Sequence, residues 1–521
     1  MSSDATAVGA GLEAARDARR IVAGERIHVV GAAGAGASAA ALLAARAGGV
    51  LSGCDPGGPS PYTPALEAAA ISLSWEHDPS HVTQAVAPQR LAVTKALTAI
   101  APHHPELEAA RRAGVPLEAW QQVVADAAVG RTLVGVAGTH GKSTTAGWLV
   151  HVLVAAGADP SAFVGALLPA ALTGGVAATA RWGRGPAFVV EADEYAGNFD
   201  PYRPAISVVT SAEWDHPDVF ADRAAVVAAF ERWLRRAGDA ARDPVAILNV
   251  ADAGAAELAA GLRDWPGRIV ATALVDQAPQ RLGGYARGIG EQYETAAGPA
   301  TALLARITAT DAAGTTIEIH GLDPVAGPVA ARLATAGRHN AANALGVAAA
   351  AMALGMTPAA IVAGLASFGG VGRRLERKGD TGGVVVYDDY GHHPTAIRET
   401  IAAVRQREPG RRVWAVYEPL TYHRTAALLD DFAAALSTAD AVAVADIWAG
   451  RDRDITVASA DGLAAAVAAR RADIPIAAPG SVEATADWLA GEVRPGDAVL
   501  VMGGGRSYRI GERLLERLGA K

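Results

Sequence analysis

The stretch Arg131-Thr-Leu-Val-Gly-Val-Ala-Gly-Thr-His-Gly-Lys-Ser-Thr-Thr145 decides how the rest of the chain is read. Its apolar first half predicts a buried strand, and a helix-compatible run reaches Val154 after the glycine turn. Strand, glycine loop and helix together make a phosphate loop. Val136 replaces the first glycine of the full G-x-x-x-x-G-K-[ST] spacing, while Gly141-Lys142-Ser143 is intact. Backbone N–H groups along Gly138, Thr139, His140 and Gly141 would cradle phosphate oxygens. Lys142 would reach the terminal phosphates, and the hydroxyl of Ser143 or Thr144 would ligate Mg²⁺. The competing reading, a polar helix cap, needs no lysine. This chain carries 46 basic residues, of which only Lys95, Lys142, Lys378 and Lys521 are lysine. A compact ammonium and a planar guanidinium are different ligands, so a lysine kept at this position has a chemical task.

Downstream, Phe188-Val-Val-Glu191-Ala-Asp193-Glu194 puts three carboxylates at a predicted strand end, and Ile206 to Thr210 leads to Glu213-Trp-Asp215-His216. Open α/β sheets hold metal and substrate at such ends. Strands over 245–250, 301–308 and 315–320 precede Gly337-Arg-His339-Asn340-Ala-Ala-Asn343, which opens an Ala-rich helix. Amides there would either read a purine edge or cap the helix.

Upstream, Ile27 to Val30 runs into Gly31-Ala-Ala-Gly34-Ala-Gly36, then a helix to Arg46, a strand from Val50 and Asp55. That order matches half of a Rossmann unit, with an acid positioned to bind ribose or its equivalent. Ala33 takes the place of the middle glycine, so a nucleotide cradle and an ordinary tight turn both fit. Beyond Phe368 to Arg374 and a Gly-rich linker over Lys378 to Gly383, strands and helices alternate to the end. Asp388-Asp389-Tyr390-Gly391-His392-His393-Pro394 closes the first of those strands. The expected class is therefore α/β in three domains: a Rossmann-like domain over 26–128 after an extension of 1–25, a central phosphate-loop domain over 129–375, and a Rossmann-like α/β domain over 376–521.

Composition narrows the partners. With 46 basic and 54 acidic residues the net charge is −8, without long runs of one sign, so nucleic acid and anionic membrane surfaces are not expected. The uncharged stretches Ser161 to Ala180 and Asn340 to Gly372 are Ala/Gly-rich and broken by proline, which predicts buried helices and loops rather than membrane spans. The single Cys54 excludes an internal disulfide and a cysteine-based zinc site, and it suits a reducing, cytoplasmic setting.

The ordered anchors G-T-H-G-K-S-T-T at 138–145, E-A-D-E at 191–194, D-H at 215–216, G-R-H-N-x-x-N at 337–343, G-R-R at 372–374 and D-D-Y-G-H-H-P at 388–394 resemble the ATP-dependent Mur ligases of peptidoglycan synthesis, most closely their alanine-adding branch. The resemblance implies that ATP phosphorylates the carboxylate of UDP-N-acetylmuramate, and that the amine of L-alanine attacks the acyl phosphate. It implies ATP and Mg²⁺ as cofactors and a monomer or homodimer. Lys142 would be catalytic, as would Glu191, His216, His392 and Arg424, with Glu191 and His216 holding a second ion. His339, Asn340, Asn343 and Arg373 would serve the nucleotide, with Asn340 and Asn343 on adenine, and Asp388 or Asp389 on the ribose. Gly31, Gly34, Gly36, Asp55 and Glu194 would face the UDP substrate, and Tyr390, His392 and His393 the amino acid. Tyr195 and Glu418-Pro419 lean instead toward the murein peptide ligases, which attach a short peptide to the same sugar. A Mur-like ATP-binding protein without synthetase activity is the third reading.

Overall fold

The computed structural model describes residues 8–276, 293–295, 298–323, 325–450, 452 and 454–520. Among the described residues the chain forms three sheets. In the first, five strands run in the order Ser72–Ser74, Val50–Cys54, Arg26–Val30, Arg90–Val93, Leu117–Ala119, all parallel. Ile27 and Val29 point to one face, toward the helix Ala35–Arg46, while Val30 and Cys54 join a smaller core on the other. Such alternation follows from the two-residue period of a strand. Residues 9–25 pack along this sheet, where Arg16 reaches Glu118 and Asp126, and the buried Arg90 pairs with Glu25 and the same two acids.

In the central sheet the strand Thr132–Ala137 lies between Ile206–Val209 and Ala187–Glu191, parallel to both. The chain extends to one side through Ser161–Leu168 and to the other through Val245–Asn249 and Arg268–Leu274. The phosphate loop therefore leaves the strand where the order reverses, the place at which open α/β sheets leave a crevice for ligands. Helices Lys142–Ala155 and Arg338–Ala353 cover one face with an alanine-, valine- and leucine-rich core. Small side chains allow that close packing.

The third sheet runs Glu376–Thr381, Val384–Asp389, Asp497–Gly503, Arg412–Glu418, Ala441–Ala445, Ile476–Gly480. Two expectations need correction here. The segment read as a linker over 378–383 is mostly the strand Glu376–Thr381, paired antiparallel with Val384–Asp389 through the Gly382-Gly383 turn. Its glycines signalled a tight hairpin, which composition alone does not separate from a linker. The stretch Ser161 to Ala180 is two strands, Ser161–Leu168 and Ala178–Arg181, around a one-turn helix, because sheet pairing overrides the helical propensity of alanine. Asn340 to Gly372 is helical as expected, in Arg338–Ala353 and Pro358–Ala366. Among the described residues no helix is long and apolar enough to cross a membrane.

Candidate active site

A cleft of about 1190 Å³ lies where the three sheets face one another, lined by Gly36 and Trp120, the phosphate loop, His216, and Tyr390 to His393. Gly138 and Gly141 take φ of 134° and 76°, in the left-handed half that favours glycine. A Cβ on Gly141 would lie 2.7 Å from Asn343 Oδ1, so the loop and the helix start it touches require glycine there. Neighbours brace the loop: Thr139 N–H donates to Ser211 O at 3.1 Å, His140 N–H donates to Ser211 Oγ at 3.0 Å, and Thr210 Oγ donates to His140 O.

Lys142 Nζ lies 3.1 Å from Glu194 Oε2 and 3.4 Å from Asp193 Oδ1. Burial disfavours its charge, but Glu194, Asp193 and Glu191 outweigh it and raise the ammonium above its ordinary value. Ser143 Oγ donates to Glu191 Oε1 at 2.9 Å, and Glu191 Oε2 accepts the Gly165 N–H at 2.6 Å. This pairs a hydroxyl with a buried carboxylate at a helix start, a donor set of oxygens that suits Mg²⁺. Asp193, Glu194 and His216 form a second group with donor atoms within 4.8 Å of one another.

Two histidines converge on Glu213. His140 Nε2 is 3.5 Å and His393 Nδ1 3.9 Å from Glu213 Oε2, which also accepts the Thr395 hydroxyl at 2.8 Å. Burial opposes the Glu213 charge, but His140, Thr395 and His393 outweigh it and lower the pKa to about 2. Burial, with His140 adding to it, brings His393 down to about 4. Across the cleft, Arg424 Nε donates to Asp215 Oδ1 at 2.8 Å and its Nη2 meets His216 Nδ1 at 3.0 Å. Burial again opposes the Asp215 charge, and His216 and Arg424 hold it well below the usual carboxylate range. His392 Nδ1 faces Tyr390 O at 3.0 Å, and burial, reinforced by Arg424, keeps that imidazole neutral.

Other expected residues do something else. Asp389 takes N–H groups of Leu375 and Gly391, both at 2.7 Å, yet still reaches the cleft. Asp388 faces Arg373 Nε at 3.1 Å and opens on a smaller cavity of about 350 Å³ together with Arg373. Arg373 also donates to Gly503 O and Ser507 Oγ, both at 2.9 Å, so the segment from Arg373, expected to close the central domain, packs with the third domain. Asn340 and Asn343 line the cleft, as His339 does, but Asn340 Nδ2 donates to Ala336 O at 2.7 Å. Asp55 braces the first glycine loop by accepting Ala33 N–H at 3.1 Å. Of that loop's glycines Gly36 lines the cleft, while Gly31 and Gly34 form the turn below it.

Three contributors were not among the expected site residues. Lys95 crosses from the first domain to donate to Ala196 O at 2.8 Å and Gly197 O at 2.9 Å, holding the turn after the 191–194 acids. Trp120 packs against the Gly36 backbone, where a Cβ would fall within 2.7 Å of its ring. Arg374 bridges from the third domain to Ser143 Oγ at 2.8 Å. For Arg374 the only sequence signal was its place in the G-R-R anchor.

A phosphate loop at the switch point of a parallel sheet, with acids beside it and two flanking α/β units closing on it, defines a nucleotide-dependent ligase of three domains. The Mur ligase family, catalytic domain, matches residues 26–132, the Mur ligase middle domain 136–351, and the Mur ligase, glutamate ligase domain, 373–505. The chain belongs to the Mur ligase family, and it is an ATP-dependent ligase. Relatives named UDP-N-acetylmuramate--L-alanine ligase are 35% identical in Frankia casuarinae, over 95% of this chain and 98% of the relative, and 36% identical in Kineococcus radiotolerans, over 95% and 96%. The fold matches UDP-N-acetylmuramate-alanine ligase of Thermotoga maritima with a TM-score of 0.71 at 22% identity, over 95% of this chain and 99% of that one. It also matches a murein peptide ligase of Psychrobacter arcticus with a TM-score of 0.68 at 23% identity, over 96% and 99%.

Proposed function

We propose that this protein joins L-alanine to the lactoyl carboxylate of UDP-N-acetylmuramate in the cytoplasm, with hydrolysis of ATP to ADP and phosphate. The observation that carries the reading is the meeting of Lys142, Asp193 and His216 with Tyr390 to His393 in one cleft that also reaches Gly36 of the first domain. The triphosphate lies along the loop from Gly138 to Thr144, with Lys142 against its terminal phosphates. Asn340 and Asn343 face adenine and Asp389 the ribose. Ser143 and Glu191 fit one Mg²⁺, and the Asp193, Glu194 and His216 group a second. A metal held by these residues would neutralise charge between the phosphate and the attacking carboxylate.

The chain's own residues supply alignment. Two anions must approach within bonding distance, so fixed positive charge in a dry cleft lowers the barrier most. Lys142 keeps its proton because carboxylates surround it, and it is thus available to the transferring phosphoryl group. Arg424 holds Asp215 and His216 in one orientation and acts as a positioning residue. His392, held neutral by burial, suits the place where the alanine amine gives up a proton as the amide forms, whereas His393 caps the helix Pro394–Arg407, its Nδ1 accepting the Thr395 N–H at 3.3 Å and its Nε2 facing Trp214 O at 3.3 Å.

Glu418, one of the departures toward the peptide ligases, is buried, and its Oε2 accepts the Ser507 N–H at 2.6 Å, so it braces a turn of the third domain. Tyr195 lines the cleft, with its hydroxyl 3.1 Å from Asp218 Oδ2. The test is to incubate the protein with UDP-N-acetylmuramate, ATP, Mg²⁺ and either L-alanine or a tripeptide, and to weigh the product. An alanyl product is expected; a tripeptide product would transfer the protein to the peptide-adding branch. Nucleotide binding with no acid-dependent phosphate release would mark a protein without synthetase activity.

A further inference from the structure

The smaller core of the first sheet contains polar residues that the ligase reaction does not use. His28, Cys54 and Glu106 are 2%, 0% and 0% exposed, and His81 closes the group from the short helix Ser80–Thr83. Their donor atoms lie within 4.8 Å of one another. His28 Nε2 is 3.3 Å from Cys54 Sγ, Cys54 Sγ is 3.2 Å from Glu106 Oε2, and His28 Nε2 is 3.8 Å from the same oxygen. Donors bound tetrahedrally at the bond lengths of zinc stand about 3.3–3.8 Å apart, so three edges of a tetrahedron are already close to size. His81 Nδ1 closes on Glu106 Oε1 at 2.8 Å, a hydrogen bond that an ion would replace.

Two further observations point to a ligand. Among the described residues no lysine or arginine pairs with Glu106, although its carboxylate is fully buried. A buried carboxylate without a fixed cation is costly. Beside it stands His104, 3% exposed, with neither ring nitrogen hydrogen-bonded and its ring 4.2 Å from that of His77. His77 Nδ1 in turn lies 3.2 Å from Cys54 Sγ. The orientation of His28 is set from outside, because its Nδ1 faces Ser52 Oγ at 2.8 Å and leaves Nε2 turned into the group. That outer hydrogen bond is the usual support of a metal-bound imidazole.

We propose that His28, Cys54, His81 and Glu106 bind a structural Zn²⁺ ion. The mixed donor set revises the sequence expectation, which considered cysteines alone. On binding, the Cys54 thiol loses its proton to solvent, and the thiolate and carboxylate balance the two charges of the ion. The partly exposed edges of His77 and His81 provide the way in. Cys54 O accepts the N–H groups of Gly31 at 2.8 Å and Ala32 at 3.0 Å, so the ion anchors the base of the loop that ends at Gly36. None of this depends on which amine the ligase uses.

The test uses the full chain, purified without a metal-affinity tag and kept reduced. One zinc per chain is expected by elemental analysis after dialysis, and Co²⁺ replacing it gives a thiolate-to-cobalt absorption band. Because the chain has one cysteine, that band reports Cys54 and not the histidines of the cleft. Cys54→Ala abolishes band and zinc, His81→Ala weakens binding at least about tenfold, and Ser52→Ala keeps the band but weakens binding about 10–100-fold. If Cys54→Ala does not fold, the cobalt spectrum of the unmodified protein decides. A wild-type protein that retains no zinc and gives no band, or a Cys54→Ala protein that retains zinc equally, overturns the proposal.

Discussion

Arg374 donates to Ser143 Oγ at 2.8 Å, while that hydroxyl donates to Glu191 Oε1 at 2.9 Å. A guanidinium of the third domain thus occupies the hydroxyl that the bound magnesium would use. Closing of the domains and loading of the nucleotide site are therefore linked through one oxygen.

Arg374→Ala is expected to weaken closure. A hydrogen bond to a charged group contributes about 1.5–3 kcal/mol, or roughly 10–100-fold in the closed-to-open ratio of the ligand-free protein. Small-angle scattering of the ligand-free protein should show a larger radius, and steady-state kinetics a lowered KM for ATP, since the Ser143 hydroxyl no longer has to be released for the metal. Unchanged scattering together with unchanged kinetics would remove the latch.

Lys142→Arg keeps the charge but replaces a compact ammonium with a fork that does not fit between Asp193 and Glu194. Acid-dependent phosphate release should fall about 100–1000-fold, with the circular dichroism spectrum and melting temperature preserved. Near-normal turnover would show that the ammonium has no special task.

Lys95→Met removes two hydrogen bonds to the carbonyls of Ala196 and Gly197 without changing the bulk of the side chain. Loss of about 1.5–3 kcal/mol of stability is expected, read as a lower denaturant midpoint. The KM for the UDP substrate should rise as well, since the turn after Glu194 loses its tether. A variant equal to wild type in both would make Lys95 a surface residue.

Acid stability provides an independent reading of Glu213. Its pKa is about 2 in the folded protein against an ordinary 4.5, so it contributes stability that is present above 4.5 and lost as pH falls through 2. Glu213→Gln should flatten that part of the stability curve while leaving the curve above pH 5 nearly parallel to wild type. Equilibrium unfolding at a series of pH values measures this directly, and an identical acid limb would show that the carboxylate is not held by His140 and His393.

By itself the sequence determined the local units: a strand that ends in Gly138, a helix that starts at Lys142, acids at the end of Ala187–Glu191, and a polar cluster after Val384–Asp389. Each follows from period, glycine placement and residue chemistry within about 15 neighbours. Only the tertiary structure decided which of these side chains face the cleft. Asp389 reaches it and Asp388 does not, because successive residues of a strand point to opposite sides. Arg373 and Arg374 diverge from the turn before that sheet, one holding Ser507 and the other Ser143. Lys95 and Trp120 gained their places from contacts made across domain boundaries, which no local pattern records. The same holds for Cys54, alone in the sequence and yet surrounded in the fold by His28, His77, His81 and Glu106, because four distant segments converge on one face of one sheet.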